Sequence, residues 1–213
     1  MDAFPAHPEE ITLAWWGALL GRVPRAVRWE PIGTGQVGDS VRFTLDMGEG
    51  EAPMTLAGKF AAADPTSRST AAMLGLYAKE VRFYRTLAPQ LPIRTPRVLL
   101  AEIADDGSSF CLIFEDLGPA RGGNQIAGCT PAEAREVVKA AAALHAPSWH
   151  NPAILGLDWL QPDPEAAARV RALYPQAQAV FRERYRDVLE PEYMALCEEL
   201  AEITASTERH SEP

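Results

Sequence analysis

The segment Gly33-Thr34-Gly35-Gln36-Val37-Gly38, with the residues that follow it, restricts the possible folds of this chain more than any other stretch. Its G-x-G-x-x-G spacing occurs where a glycine turn opens a helix, and also where glycines join two antiparallel strands. The residues downstream choose between these. Val41, Phe43, Leu45 and Met47 alternate with polar neighbours, the period-two pattern of a strand with one buried face. A helix would scatter those apolar residues around its circumference. The glycines are therefore expected to sit between two paired strands. At 33, 35 and 38 the missing Cβ atoms would let backbone N–H groups approach a bound phosphate closely.

The rest of the chain extends this hairpin into a small sheet. Residues 27–32 read as the strand entering the glycines, 40–47 as the strand leaving them, and 54–61 as a third strand carrying Lys59. A polar, Pro-containing connection over 63–69 leads to a helix over 70–87 that carries Glu80. Residues 97–104 and 110–117 are two more strands, joined by the turn residues Asp105-Asp106-Gly107-Ser108. Before all of these, residues 9–21 form an amphipathic helix, with Ile11, Trp15, Trp16, Leu19 and Leu20 on one face and Gly21 as its stop.

The chain changes character at Gly118-Pro119-Ala120-Arg121-Gly122-Gly123, a linker by composition. Thr130-Pro131-Ala132-Glu133 then combines an N-cap, a proline at the first helical position and a capping-box glutamate. The helix it starts is expected to run to His145. Further helices are expected over 165–174, 176–189 and 192–204, punctuated by Pro175 and Pro191. The reading is thus a β-rich lobe over 1–117, a hinge over 118–129 and the beginning of an all-helical lobe over 130–213.

Composition removes several function classes. A formal charge of -9 without any Lys/Arg run offers no footprint for nucleic acid. Three cysteines far apart, Cys111, Cys129 and Cys197, suggest neither a disulfide framework nor a metal site. They read as reduced thiols of a cytoplasmic protein. The apolar run 11–20 is too short to span a bilayer. It also follows acidic rather than basic residues, unlike a signal peptide, so no membrane role is expected.

Binding a nucleoside triphosphate requires close backbone donors, a cation on the phosphates and a group that holds the cation in place. The glycines meet the first need and Lys59 the second. Met73, Leu76, Glu80, Phe83 and Leu87 fall three and four residues apart, which places Glu80 on the inward stripe of its helix. A carboxylate there needs a partner, and Lys59 is the natural one. Each part alone has a plain structural explanation, such as an ordinary turn, an exposed lysine or a rim glutamate. Their order along the chain is much harder to reach by accident. A P-loop is excluded because Phe60 follows Gly58-Lys59 and Pro53 stands at the upstream glycine position.

These residues resemble the kinase-like small-molecule phosphotransferases, the superfamily of aminoglycoside phosphotransferases, choline kinases and ecdysteroid-kinase-like proteins. The resemblance spans roughly residues 9–160. It rests on residues 31–40, Ala57-Gly58-Lys59, Lys79-Glu80-Val81-Arg82-Phe83-Tyr84, Leu112-Ile113-Phe114-Glu115-Asp116-Leu117 and Ala143-Leu144-His145-Ala146. The ecdysteroid-kinase-like branch fits best. The implied fold is α+β and protein-kinase-like: a five-stranded antiparallel lobe with one embedded helix, a hinge, and an incomplete helical lobe. The implied ligand is ATP. Gly33, Gly35, Gly38 and Ser40 would cover its phosphates and Lys59, held by Glu80, would bind them. Glu115 and Leu117 would offer backbone groups to adenine, with Phe114 behind the base.

One departure limits the expected activity. The His-Gly-Asp catalytic loop of the family, its Mg²⁺-binding Asn and its second metal-binding Asp are not found in these residues. Gly156-Leu157-Asp158-Trp159 only superficially resembles the last motif, and His210-Ser211-Glu212-Pro213 is not the missing loop. The expectation is a chain that stops before the catalytic loop, with no catalytic residue of its own and no Mg²⁺ ligands. The complete protein would transfer the γ-phosphate to a hydroxyl of a small molecule. Cationic aminoglycosides and sterol-like alcohols are both open as acceptors, and the unfinished helical lobe is expected to favour self-association. Two rivals stand beside this reading. A non-catalytic, pseudokinase-like interaction module shares its features, whereas a dinucleotide-binding oxidoreductase would need a helix after Gly38.

Overall fold

Alternating side chains give the sheet two apolar faces, and the helices are arranged to cover both. The computed structural model describes residues 4–33, 35, 37–120, 122–124 and 126–207. Thr34 and Gln36 of the glycine segment, Arg121 of the linker and residues 210–213 lie outside the described residues. Five strands, β1 (Ala26–Pro31), β2 (Gly38–Asp46), β3 (Met54–Ala61), β4 (Val98–Ile103) and β5 (Phe110–Glu115), make one open antiparallel sheet in the order β1-β2-β3-β5-β4. The architecture is α+β, and the strand after the glycines is β2.

The first face is built by Val41, Phe43, Leu45, Leu56, Phe60, Cys111 and Ile113. Helix α1 (Leu13–Leu20) covers it. Thr12 caps this helix through its hydroxyl, which accepts from the Trp15 amide at 3.1 Å, and Gly21 ends it in the left-handed region at φ 73°. Its expected apolar face is the one that packs: Trp16 is fully buried against Phe43, with ring centroids 5.0 Å apart, and Ile11, Trp15, Leu19 and Leu20 join it. Cys111 lies at the bottom of this layer, where burial pushes its thiol up to about 12, with the Glu102 charge adding to the effect.

The second face carries Ala57, Ala61, Phe110, Leu112 and Phe114, covered by Ala71, Tyr77, Val81 and Tyr84. A register shift between Val98 and Leu100 puts these two residues, which a regular strand would hold on one face, on opposite faces. Leu100 enters the first layer, while Val98 and Ala101 enter the second. One extra residue in a strand produces such a change of face.

The helical segment over this second face departs from expectation. It is divided into α2 (Pro65–Met73) and α3 (Leu76–Arg82), followed by a π-helical turn over Phe83–Leu87. Residues 65–69, expected as a connection, are helical because Asp64 caps them through its carboxylate, which accepts from the Ser67 amide at 2.7 Å, and Pro65 starts the helix. The break falls at Gly75, whose φ of 65° no continuous helix accommodates. The buried stripe also shifts. Tyr77, Val81 and Leu87 are buried, whereas Met73 and Leu76 are each 37% exposed.

Beyond the sheet, α4 (Pro131–His145) has the expected capping box: Thr130 and Glu133 each accept from the other's backbone amide. None of its residues is buried, and Val137 and Val138 are both exposed. A short helix, α5 (Pro152–Leu155), follows, with Asn151 as N-cap. The described residues from 162 onward form a separate compact unit containing α6 (Pro164–Arg184) and α7 (Pro191–Thr207), joined by an Arg182–Glu198 ion pair at 3.1 Å. Pro175 does not divide α6 as expected. The missing amide costs one hydrogen bond, and the Ala-rich flanks carry the helix across it. Among the described residues, no helix is long and apolar enough to cross a membrane.

Candidate functional site

Register across β2, β3 and β5 places the polar residues of the second face in rows. Ser40 stands opposite Lys59, and Lys59 opposite Leu112. Gly38 is buried beside this row. A Cβ there would come within 3.1 Å of the Phe60 carbonyl and 3.4 Å of Lys59 Cε, so glycine leaves the lysine side chain its path. A Cβ on Gly35 would collide with the Gly38 carbonyl. Gly33 adopts a φ of 77°, a conformation that disfavours other residues. The glycine positions are thus set by space and by backbone shape at once.

Lys59 Nζ lies 2.6 Å from Glu80 Oε1 and 2.8 Å from Oε2. Lysine and glutamate side chains are 33% and 28% exposed, so the pair is partly sheltered yet open to a ligand. The ammonium is held by one carboxylate and keeps donor capacity for another anion. Glu80 reaches it from α3, one residue from the buried Val81 and one turn beyond the buried Tyr77.

Tyr77, to which the sequence assigns no role, ties this region together. Its hydroxyl donates to the Val37 carbonyl at 2.5 Å and accepts from the Ala62 amide at 3.2 Å. Asp39 adds a second link, accepting from the Ala63 amide at 2.7 Å. The base of the glycine segment is therefore fastened to the end of β3 and to the helix that holds Glu80. The signal was faint: a tyrosine three residues before Glu80, inside a stripe assigned one residue out of phase.

The end of β5 and the residues after it are fastened as well. Phe114 is buried, with its ring 4.8 Å from that of Tyr84. Burial, and then the Glu80 charge, raise the Tyr84 hydroxyl above its ordinary range. Glu115 donates its amide to the Arg97 carbonyl at 2.9 Å, while its own Oε1 accepts from the Arg97 amide at 2.9 Å. The side chain thus takes the place that a regular ladder gives to the main-chain carbonyl. Leu117 is exposed, and its carbonyl accepts from the Ala120 amide at 3.0 Å, so its amide is the backbone group it can offer a ligand.

Arg42 and Asp116, to which the sequence assigns no role, form a second ion pair near this region. Arg42 Nε donates to Asp116 Oδ2 at 2.7 Å, and Nη2 to Oδ1 at 3.2 Å. The Asp116 side chain is only 9% exposed. The hydrogen bond from Arg42 holds its carboxyl below the usual aspartate range, with the Gly118 amide and the Thr55 side chain contributing.

The structure therefore brings Gly38, Ser40, Lys59 and Glu80 to one region of one sheet face. Phe114 lies on the same face, with Glu115 and Leu117 following at the end of β5. Among the described residues no group of three or more His, Cys, Asp or Glu side chains could hold a metal ion. Compared with known proteins, the chain matches no family model and no curated sequence.

Proposed function

We propose that residues 4–117 form a nucleotide-binding lobe of protein-kinase-like type, from an ATP-dependent phosphotransferase that acts on a hydroxyl of a small molecule. The observation that carries the reading is the Lys59–Glu80 pair, set beside Gly35, where a Cβ would collide with the Gly38 carbonyl, and Gly38, where a Cβ would crowd the Phe60 carbonyl. In the proposed complex, Lys59 binds the α/β-phosphates and Glu80 fixes the lysine against the sheet. The glycine segment covers the phosphates with backbone amides. The Leu117 amide and the Glu115 carbonyl meet the edge of adenine, with Phe114 and Tyr84 closing the rear of the base pocket. For these 213 residues the proposed act is nucleotide binding; transfer of the γ-phosphate would also need a general base and metal ligands.

Calorimetric titration of the protein with ATP, with and without Mg²⁺, tests this. Lys59→Ala should weaken binding by about 10- to 100-fold, the loss of one charge-assisted contact, and Mg²⁺ should change the wild-type affinity little. Absence of ATP binding by the wild-type chain would overturn the proposal and favour an interaction module.

A further inference from the structure

Arg42 projects from the β2 face that carries Ser40, one pleat further along the strand. Across the sheet its row continues through Ala57 to Phe114, the residue two before Asp116. The guanidinium thus reaches from the middle of the sheet to the segment leaving it, 74 residues later, and grips it with two parallel hydrogen bonds. A fork of this kind fixes orientation as well as distance. Asp116 passes the constraint on, since its Oδ1 accepts from the Gly118 amide at 3.1 Å. Leu117 is consequently bracketed: the residue before it is held by Arg42, and the amide after it is held by Asp116. On the other side, the Glu115 carboxylate occupies the Arg97 amide.

We infer that the Arg42–Asp116 pair is the positioning device that sets base selectivity, by fixing the Leu117 amide and the Glu115 carbonyl as a donor and acceptor aimed at an adenine edge. This rests on the nucleotide-binding reading above. Adenine presents an acceptor at N1 beside a donor at N6, whereas guanine presents a donor at N1 beside an acceptor at O6. A rigid donor–acceptor couple therefore pairs with the first and opposes the second, because a mismatched edge leaves buried groups unpaired. Without the fork the segment can turn its amide away, and the discrimination is lost while the phosphate grip at Lys59 persists.

Affinities for ATP, GTP and inorganic tripolyphosphate, measured by calorimetry on wild type and Arg42→Met, test the inference. The ATP-over-GTP preference should fall by about tenfold or more, with the tripolyphosphate affinity unchanged within about twofold. Should Arg42→Met fail to fold, Arg42→Lys carries the same test, because an ammonium keeps the charge but not the fork. Parallel weakening of all three ligands would mean that the pair acts only on stability, and the inference would fall. An unchanged ATP-over-GTP ratio would overturn it too. A wild-type chain that binds no ATP would sink the nucleotide reading itself, a separate result from either.

Discussion

Replacing Tyr77 with Phe removes one oxygen atom and nothing else. The ring keeps its packing on Phe110, 4.6 Å between centroids. Two hydrogen bonds disappear, one from the hydroxyl to the Val37 carbonyl and one from the Ala62 amide to the hydroxyl. Their costs differ. Val37 is 38% exposed, so its carbonyl can turn to water for little. Ala62 is 4% exposed, and its amide is left buried without a partner, which costs about 1–3 kcal/mol. The whole substitution should therefore destabilise the sheet-bearing unit by about 1–3 kcal/mol, with the amide dominating. Urea unfolding followed by tryptophan fluorescence isolates that unit, because all five tryptophans precede residue 162. The midpoint should drop by roughly 0.5–1.5 M at an unchanged slope. A shift below about 0.2 M would show that water reaches the Ala62 amide, and the latch would lose its energetic basis.

Further outcomes follow from other contacts. Gly58→Ala would place a methyl 2.6 Å from Phe43 and 3.0 Å from Phe60 ring carbons; both rings are fully buried, so overpacking should cost about 1–3 kcal/mol in the same urea assay, and a neutral variant would mean that the rings can separate. Asp116 gives a pH signature. Because its folded pKa is depressed by Arg42, its contribution is complete above the ordinary aspartate value of 3.8 and is lost as pH falls below that value through the folded one. The stability gap between wild type and Asp116→Asn should accordingly stay level from about pH 7 to 5 and narrow below about pH 4; a gap that narrows near neutrality would point to another group. Thr130→Ala removes half of the capping box of α4 and should cost about 0.5–2 kcal/mol of local stability, seen as faster amide exchange in its first turn. Unchanged exchange there would show the cap to be redundant.

The sheet was legible because its signals are local. Alternation in β2, the turn at 105–108 and the strand lengths each depend on a few neighbouring residues. Lys59 meeting Glu80 was legible for a different reason: a charge on an inward helix face has few ways to be satisfied. The stripe used to place Glu80 was nevertheless misassigned, since Gly75 resets the helix phase and brings Tyr77 and Val81 inward. Pro175 misled in the opposite direction, because a proline's missing amide weakens a helix that surrounding residues can still sustain. The Arg42–Asp116 fork and the Tyr77 latch span 74 and 40 residues, and no local pattern carries such pairings. They emerge only once the strand register is known. Asp116 lies inside the Phe-Glu-Asp-Leu stretch at 114–117, yet its pairing depends on a residue from another strand.

Cys111 turns the sheet into its own stopwatch. With its thiol raised to about 12, only about one molecule in ten thousand would carry a reactive thiolate near pH 8. Its burial at 0% exposure also excludes an alkylating reagent from the closed protein. Cys129 is exposed and Cys197 partly so, and both can be blocked first with a small reagent. Slow labelling that remains then comes from Cys111 and counts excursions in which the layer beneath α1 comes apart. The chain thereby records its own opening without an engineered probe, and a ligand that grips the sheet would be seen as a slower clock.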